Sequence, residues 1–224
     1  MKQRETGFTL VEIAIVLVII GLLLGGILKG QELINNAKVR NVADQQNAIK
    51  AAYFAFQDRF RALPGDFSKA SSNIATTAVD GNGDATISGN EQVHAWNHLT
   101  SAGFISCSPC AVVSATPGTP NDTNSPVNAY GGVMLIQYDG NYNNAGAATG
   151  PLVNNLKSGA QIPSSVLAQV DRKIDDGNPR TGSLRFSPFN AVGTLPDPTK
   201  CAAVGTDTWI VTTVEANCGS ANLL

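Results

Sequence analysis

Charge is scarce in this chain. Of 224 residues, 15 are Lys or Arg and 17 are Asp or Glu, a charged fraction of 14% and a net charge of −2. With no basic excess there is no electrostatic footprint for a nucleic-acid backbone, and that class of partner is set aside. Catalytic groupings are missing too. No Ser/His/Asp set, phosphate loop or pair of cleft carboxylates is visible, so an enzyme is not expected. Proline is absent from Phe8 to Leu63. Nothing there interrupts a single helix, which would run about 55 residues and roughly 80 Å. Few single domains need such a helix. Asn, Ser, Thr and Gly stand in for the missing charge, which suits a surface that packs against its own copies or lies outside the cell.

What is present begins with an apolar run from Phe8 to about Leu28, whose only charge is Glu12. About twenty residues at about 1.5 Å each match the ~30 Å hydrocarbon core of a bilayer. A bare carboxylate there would cost several kcal/mol or be forced to protonate, so Glu12 is a functional candidate. The leader Met1–Gly7 carries Lys2, Arg4 and Glu5, and its positive balance favours the cytoplasmic side. A secretory signal peptide fits less well, because the run is long and no small-x-small cleavage site follows it. A plain anchor explains the hydropathy but neither Glu12 nor the abutting Gly7 and Phe8.

Gly7-Phe8-Thr9-Leu10-Val11-Glu12, set before an apolar helix, resembles the processing and assembly signal of type IV prepilins and type II secretion pseudopilins. The resemblance implies an α+β pilin fold, a long N-terminal α-helix packed on an antiparallel β-sheet globular head. It divides the chain into a leader (1–7), a helix (8–62, with 8–28 as membrane span and filament core) and a head (63–224). It implies a precursor in the bacterial inner membrane with its head in the periplasm, cleaved by prepilin peptidase after Gly7 and N-methylated on Phe8. Glu12 would then pair with the Phe8 ammonium of a neighbouring subunit, two charges expensive alone and tolerable together. The product is a filament of self-associating subunits and other pilins, extracellular or spanning the periplasm. The proline that many pilins carry near the end of this run is missing, leaving Gly21, Gly25, Gly26 and Gly30 as weak points of the helix. The alternatives are a pseudopilin, or a membrane-anchored calcium-binding or thiol-redox protein that never polymerises.

Beyond the span the helix turns amphipathic. Val42, Ile49, Phe56 and Leu63 recur every seven residues, with Ala52, Tyr53 and Phe60 beside them, a stripe expected to lie on the sheet. Leu63-Pro64-Gly65-Asp66 signals the helix end. Then Asp80, Asn82, Asp84, Thr86, Ser88 and Glu91 fall at the ligand spacing of an EF-hand loop, with Ile87 at its apolar position, which marks a candidate calcium site. Ala85 stands where the turn prefers glycine, at a cost of about 1 kcal/mol. A short helix over 92–99 should turn Val93, Trp96 and Leu99 inward. His94 and His98 on its other face lack a third zinc ligand and are expected to be solvated.

Cys107 and Cys110 have the CxxC spacing of redox motifs, but a Pro/Thr/Asn loop follows them, and a structural disulfide is favoured. Gly131–Tyr138, Leu152–Leu156, Ser183–Phe186 and Trp209–Val214 read as strands, and Pro163–Ile174 as a helix. The acidic residues Asp175 and Asp176 terminate that helix. Four cysteines allow three pairings. The local ones, Cys107–Cys110 and Cys201–Cys218, suit their order, and the second would close a loop worth roughly 3 kcal/mol.

Overall fold

The computed structural model describes residues 9–111, 114, 118–145, 147–203, 205 and 207–224. The chain divides into two compact units, Met1–Lys38 and Val39–Leu224. Helix α1 (Leu10–Phe60) contributes residues to both.

In the first unit α1 is long and apolar enough to cross a membrane, and none of its apolar window is buried. Leu10, Leu17, Leu22 and Leu28 all stand exposed, as do Ile15, Val18 and Ile19. A helix that is apolar on every side has no single face to give to a core, and it needs lipid or other helices around it.

In the second unit α1 behaves differently. Its buried residues are Val39, Val42, Ala43, Gln46, Ile49, Ala52, Tyr53 and Phe56, the three-and-four spacing of one buried stripe. Arg61 adopts a left-handed φ of 54° just past the last turn, and Pro64 bars any continuation.

The remaining elements among the described residues are α2 (Ala70–Asn73), α3 (Glu91–Ser101), a 3₁₀ turn (Pro109–Ala111), β1 (Leu135–Asp139), β2 (Val153–Lys157), α4 (Ser164–Ile174), β3 (Leu184–Phe186), α5 (Pro198–Cys201) and β4 (Ser220–Leu223). The strands form one antiparallel sheet in the order β1-β2-β4-β3. The architecture is therefore the α+β one expected, a long N-terminal helix with a four-stranded antiparallel sheet.

Ile136 of β1 faces Leu156 of β2 across the ladder. Both join Ile49, Tyr53, Phe56, Trp96 and Leu99 in one apolar cluster that also takes in Cys107 and Cys110. A second cluster gathers Val39, Val42 and Ala43 with Leu167, Val170, Leu184, Phe186 and Trp209, and it includes Cys201 and Cys218. Lys157 is fully buried, and its Nζ lies 2.9 Å from Asp139 Oδ1. Burial lowers the Lys157 pKa, and Asp139 opposes the shift. Without that partner an ammonium in such a place would be very costly.

Residues 209–214, expected as the last strand, form none. Val211 and Val214 are 45% and 55% exposed, and the C-terminal strand is β4 instead. β-Branched residues favour a strand only where a neighbouring edge pairs with them and buries one face. Here the segment is held by Trp209. Its Nε1 donates to Asp171 Oδ2 at 2.7 Å, and its ring packs edge-on against Phe186.

Candidate functional site

Gly7 and Phe8 lie outside the described residues. The first described residue, Thr9, caps α1. Its Oγ1 accepts the Glu12 N–H at 3.3 Å, and Glu12 Oε2 accepts both the N–H and the hydroxyl of Thr9 at 2.8 Å. This is a capping box, a Ser or Thr with a Glu three residues on. It explains how an apolar segment carries Glu12 without leaving the carboxylate bare. A carboxylate accepts up to about four hydrogen bonds, so the cap leaves capacity for an ammonium. The Thr9–Glu12 spacing is itself a sequence signal, and reading Glu12 only as an intersubunit partner leaves it unused.

The acidic loop is built around a residue that the EF-hand spacing does not include. Asp66 follows Gly65, whose φ is +90°, and a Cβ on Gly65 would fall 2.4 Å from the carbonyl of Glu91. A Cβ on Gly81 would meet the Asp66 backbone at 2.3 Å. These two glycines let the turn after α1 lie directly against the loop and the start of α3. Asp66 Oδ1 then accepts the N–H groups of Gly83 at 2.6 Å and Asp84 at 2.9 Å, and Oδ2 accepts that of Ala85 at 2.9 Å. Ala85 sits at a left-handed φ of 65°, a conformation that costs any residue with a Cβ.

Glu91 closes the other side. Its Oε1 accepts the Asn82 N–H at 3.0 Å and its Oε2 the Ser88 N–H at 3.2 Å. Asp84 Oδ1 accepts the N–H and hydroxyl of Thr86, and Asp84 Oδ2 accepts from Asn82 Nδ2 at 2.9 Å. Asp66, Asp84 and Glu91 each bring a carboxylate oxygen within 4.8 Å of the other two. Burial pushes the Glu91 pKa up, and the charges of Asp66 and Asp84 add to it against the two N–H bonds. Three carboxylates this close can hold a cation, and an all-oxygen donor set suits a hard ion rather than zinc.

Of the six predicted ligands, Asp84 and Glu91 come together in this cluster. Asn82, Thr86 and Ser88 hydrogen-bond to it. Asp80 is engaged elsewhere, with Oδ1 and Oδ2 accepting the N–H and hydroxyl of Ser71 at 2.7 and 3.0 Å. Asp66 takes the inner place. In the sequence it reads only as part of a turn, since no spacing rule links it to residues 83–85.

The histidines are not solvated. His94 is 3% exposed and His98 fully buried. His98 Nδ1 accepts the Gly65 N–H at 2.9 Å and Nε2 faces the Val79 carbonyl at 2.8 Å, fixing the tautomer with its proton on Nε2. His98 thus ties both ends of the segment leading into the loop, and it stacks on Phe56. A polar residue on a short helix reads as solvent-facing only while nothing covers that face. Here the turn after α1 covers His98, and Ser114 meets His94 through its carbonyl at 3.1 Å.

Cys107–Cys110 and Cys201–Cys218 are both disulfides. At the end of α4, Asp175 Oδ2 accepts the N–H groups of Ser183 and Leu184, and Asp171 holds Trp209. Burial raises the Asp171 pKa to about 6.

The family model of the prokaryotic N-terminal methylation motif matches residues 2–28. This chain carries a prepilin-type N-terminus. The match takes in the residues before Gly7, the Gly7–Phe8 junction, the Thr9–Glu12 cap and the apolar run, and the motif is the hallmark of type IV pilin and pseudopilin precursors. Neither the curated proteins nor the solved structures give a match to this chain.

Proposed function

We propose that this chain is a structural subunit of a type IV pilus or pilus-like filament. On this reading it enters the inner membrane through its apolar helix and is cleaved after Gly7. It is then N-methylated on Phe8 and polymerised by burying that helix among copies of itself and other pilins. The observation that carries the reading is the methylation motif at 2–28 running into a helix whose apolar window is wholly unburied. Such a surface is stable in lipid before assembly and among helices after it. Glu12, held by Thr9 within the subunit, serves as the acceptor for a neighbour's Phe8 ammonium. The test is mass spectrometry of purified filaments, which should show N-methyl-Phe8 as the first residue. Gly7→Val should retain the leader and stop assembly. Filaments built from chains that still begin at Met1 would overturn the reading.

The acidic loop adds a second element to this function. Asp66, Asp84 and Glu91 hold calcium, with Asn82, Thr86 and Ser88 supporting them, and the ion joins the turn after α1 to the start of α3. Its chemistry is structural, since it neutralises three carboxylates that otherwise repel. Titration calorimetry at millimolar calcium checks this, and no heat of binding at that concentration would refute the calcium site.

A further inference from the structure

Residues 82 and 83 are the single Asn-Gly pair in the chain, and both are exposed. Asn-Gly is the dipeptide most prone to deamidation, because glycine places no side chain in the way of attack by its own amide nitrogen. In this loop that nitrogen is engaged. The Gly83 N–H donates to the Asp66 carbonyl at 3.0 Å and to Asp66 Oδ1 at 2.6 Å. The electrophile is engaged as well. Asn82 Oδ1 accepts the Asp84 N–H at 2.9 Å, and Asn82 Nδ2 donates to Asp84 Oδ2 at 2.9 Å. A carboxylate against the Gly83 amide also disfavours the amide anion that the attack requires.

We infer that Asn82 is a deamidation site whose rate is set by the hold of Asp66 on the Gly83 amide. When that hold is released, the Gly83 nitrogen loses its proton and attacks Asn82 Cγ. The new C–N bond closes a five-membered succinimide. The Cγ–Nδ2 bond breaks, and ammonia leaves with the proton. Water then opens the ring at either carbonyl. One opening gives an ordinary aspartate, and the other gives isoaspartate, with the backbone rerouted through the side chain.

The location gives the reaction its consequence. Asn82 Nδ2 is the donor facing Asp84, so conversion replaces an amide donor with a carboxylate beside Asp66, Asp84 and Glu91. The ordinary aspartate adds charge to the cluster. The isoaspartate lengthens the loop backbone, so the Asn82 N–H that Glu91 Oε1 accepts is displaced. The loop therefore records how long it has spent open.

The test follows the full-length chain in detergent, incubated in mildly alkaline buffer with disulfides intact, and mapped by peptide mass spectrometry. Three samples are compared: native wild type, wild type unfolded in urea, and native Asp66→Asn. The native wild type should convert Asn82 about tenfold more slowly than the unfolded chain, or slower still, since opening breaks charge-assisted hydrogen bonds. Asp66→Asn should convert faster than native wild type yet stay slower than the unfolded chain, because it loses the carboxylate while the backbone carbonyl of residue 66 still accepts the Gly83 N–H. Equal rates in native and unfolded wild type would overturn the inference, as would an Asp66→Asn protein that is folded yet as slow as wild type. If Asp66→Asn does not fold, hydrogen exchange at the wild-type Gly83 amide decides. Slow exchange supports the guard, and exchange at the unfolded-chain rate refutes it.

Discussion

Acid should loosen the turn after α1 through His98. The ring is fully buried, and each nitrogen has a partner, Gly65 N–H at Nδ1 and the Val79 carbonyl at Nε2. Burial lowers its pKa from 6.5 to about 4, against the hydrogen bond to Val79 that favours the cation. The unfolded chain therefore binds a proton near pH 6.5, while the folded chain resists until about 4. Stability attributable to this group is fully present above pH 6.5 and falls as pH drops through that window. The gap between the two values corresponds to about 3 kcal/mol. Asp171 and Glu91 act with the opposite sign. Their folded pKa values are raised, Asp171 to about 6, so protonating them on acidification favours the folded state. Asp80, Asp84 and Asp197, held low by their hydrogen bonds, act with the same sign as His98, so the wild-type curve mixes both signs and the informative quantity is a difference. Urea unfolding of the full-length protein in detergent should be measured from pH 7 to 4 for wild type and for His98→Asn. The variant should be less stable at pH 7, having lost one or both bonds to residues 65 and 79. The gap between the two proteins should shrink by about 3 kcal/mol on reaching pH 4. A constant gap across that range would refute the reasoning, because His98 would then not titrate as its burial requires.

Other outcomes are expected elsewhere in the chain. Thr9→Val removes the cap hydroxyl and should cost the start of α1 about 1 kcal/mol, read as increased amide exchange at Val11 and Glu12 in micelles. Glu12→Val should leave the protein inserted yet lower filament yield, and an undiminished yield would dispense with the proposed charge pair. Asp66→Asn and Glu91→Gln should each abolish the rise in Tm that calcium gives wild type, about 2.7 kcal/mol of stabilisation at a hundredfold excess over Kd. Asp80→Ala should largely keep that response, since Asp80 is bound to Ser71. Cys201→Ser with Cys218→Ser should destabilise by about 3 kcal/mol, with greatest deprotection around Trp209.

The elements legible in the sequence are those with a strong local signature. The absence of proline and the long apolar run specify α1 from sequence alone, and the buried positions Val42, Ile49 and Phe56 are the heptad stripe. Ser164–Ile174 is a helix as its pattern demands, and β1, β2 and β3 overlap the runs expected to form them. The failure at 209–214 has a physical cause. A β-branched run states what could pack on a sheet, but only the sheet decides whether an edge is available. The place in the sheet went to Ser220–Leu223, which lies between Val153–Lys157 and Leu184–Phe186 and pairs with both. The burial of His94 and His98 was illegible for a related reason, because the residues that cover them come from Gly65, Val79 and Ser114 rather than from their own helix.

The acidic loop shows where a motif stops being informative. EF-hand spacing encodes a loop that supplies its own first ligand from the end of an incoming helix. No helix enters directly here, because Thr76–Val79 arrive as turn and extended chain. Asp80, at the first position, is free to cap Ser71 and does so. Its place inside the loop is taken by a carboxylate from the turn that ends α1, and this requires two glycines, Gly65 and Gly81, at points where backbone meets backbone. Position six still has the left-handed φ that the motif anticipates, although it carries Ala85. The local part of the motif thus survives while its first ligand comes from elsewhere. The strain at Ala85 is offset by the Asp66 Oδ2 bond to its N–H. Ala85→Gly should accordingly stabilise the protein by relieving a positive φ, and stabilise it less when Asp66 is replaced by Asn, because the wild-type carboxylate is what holds Ala85 in that conformation. Equal gains in the two backgrounds would mean that Asp66 and Ala85 are uncoupled, and that the strained turn is fixed by the loop alone.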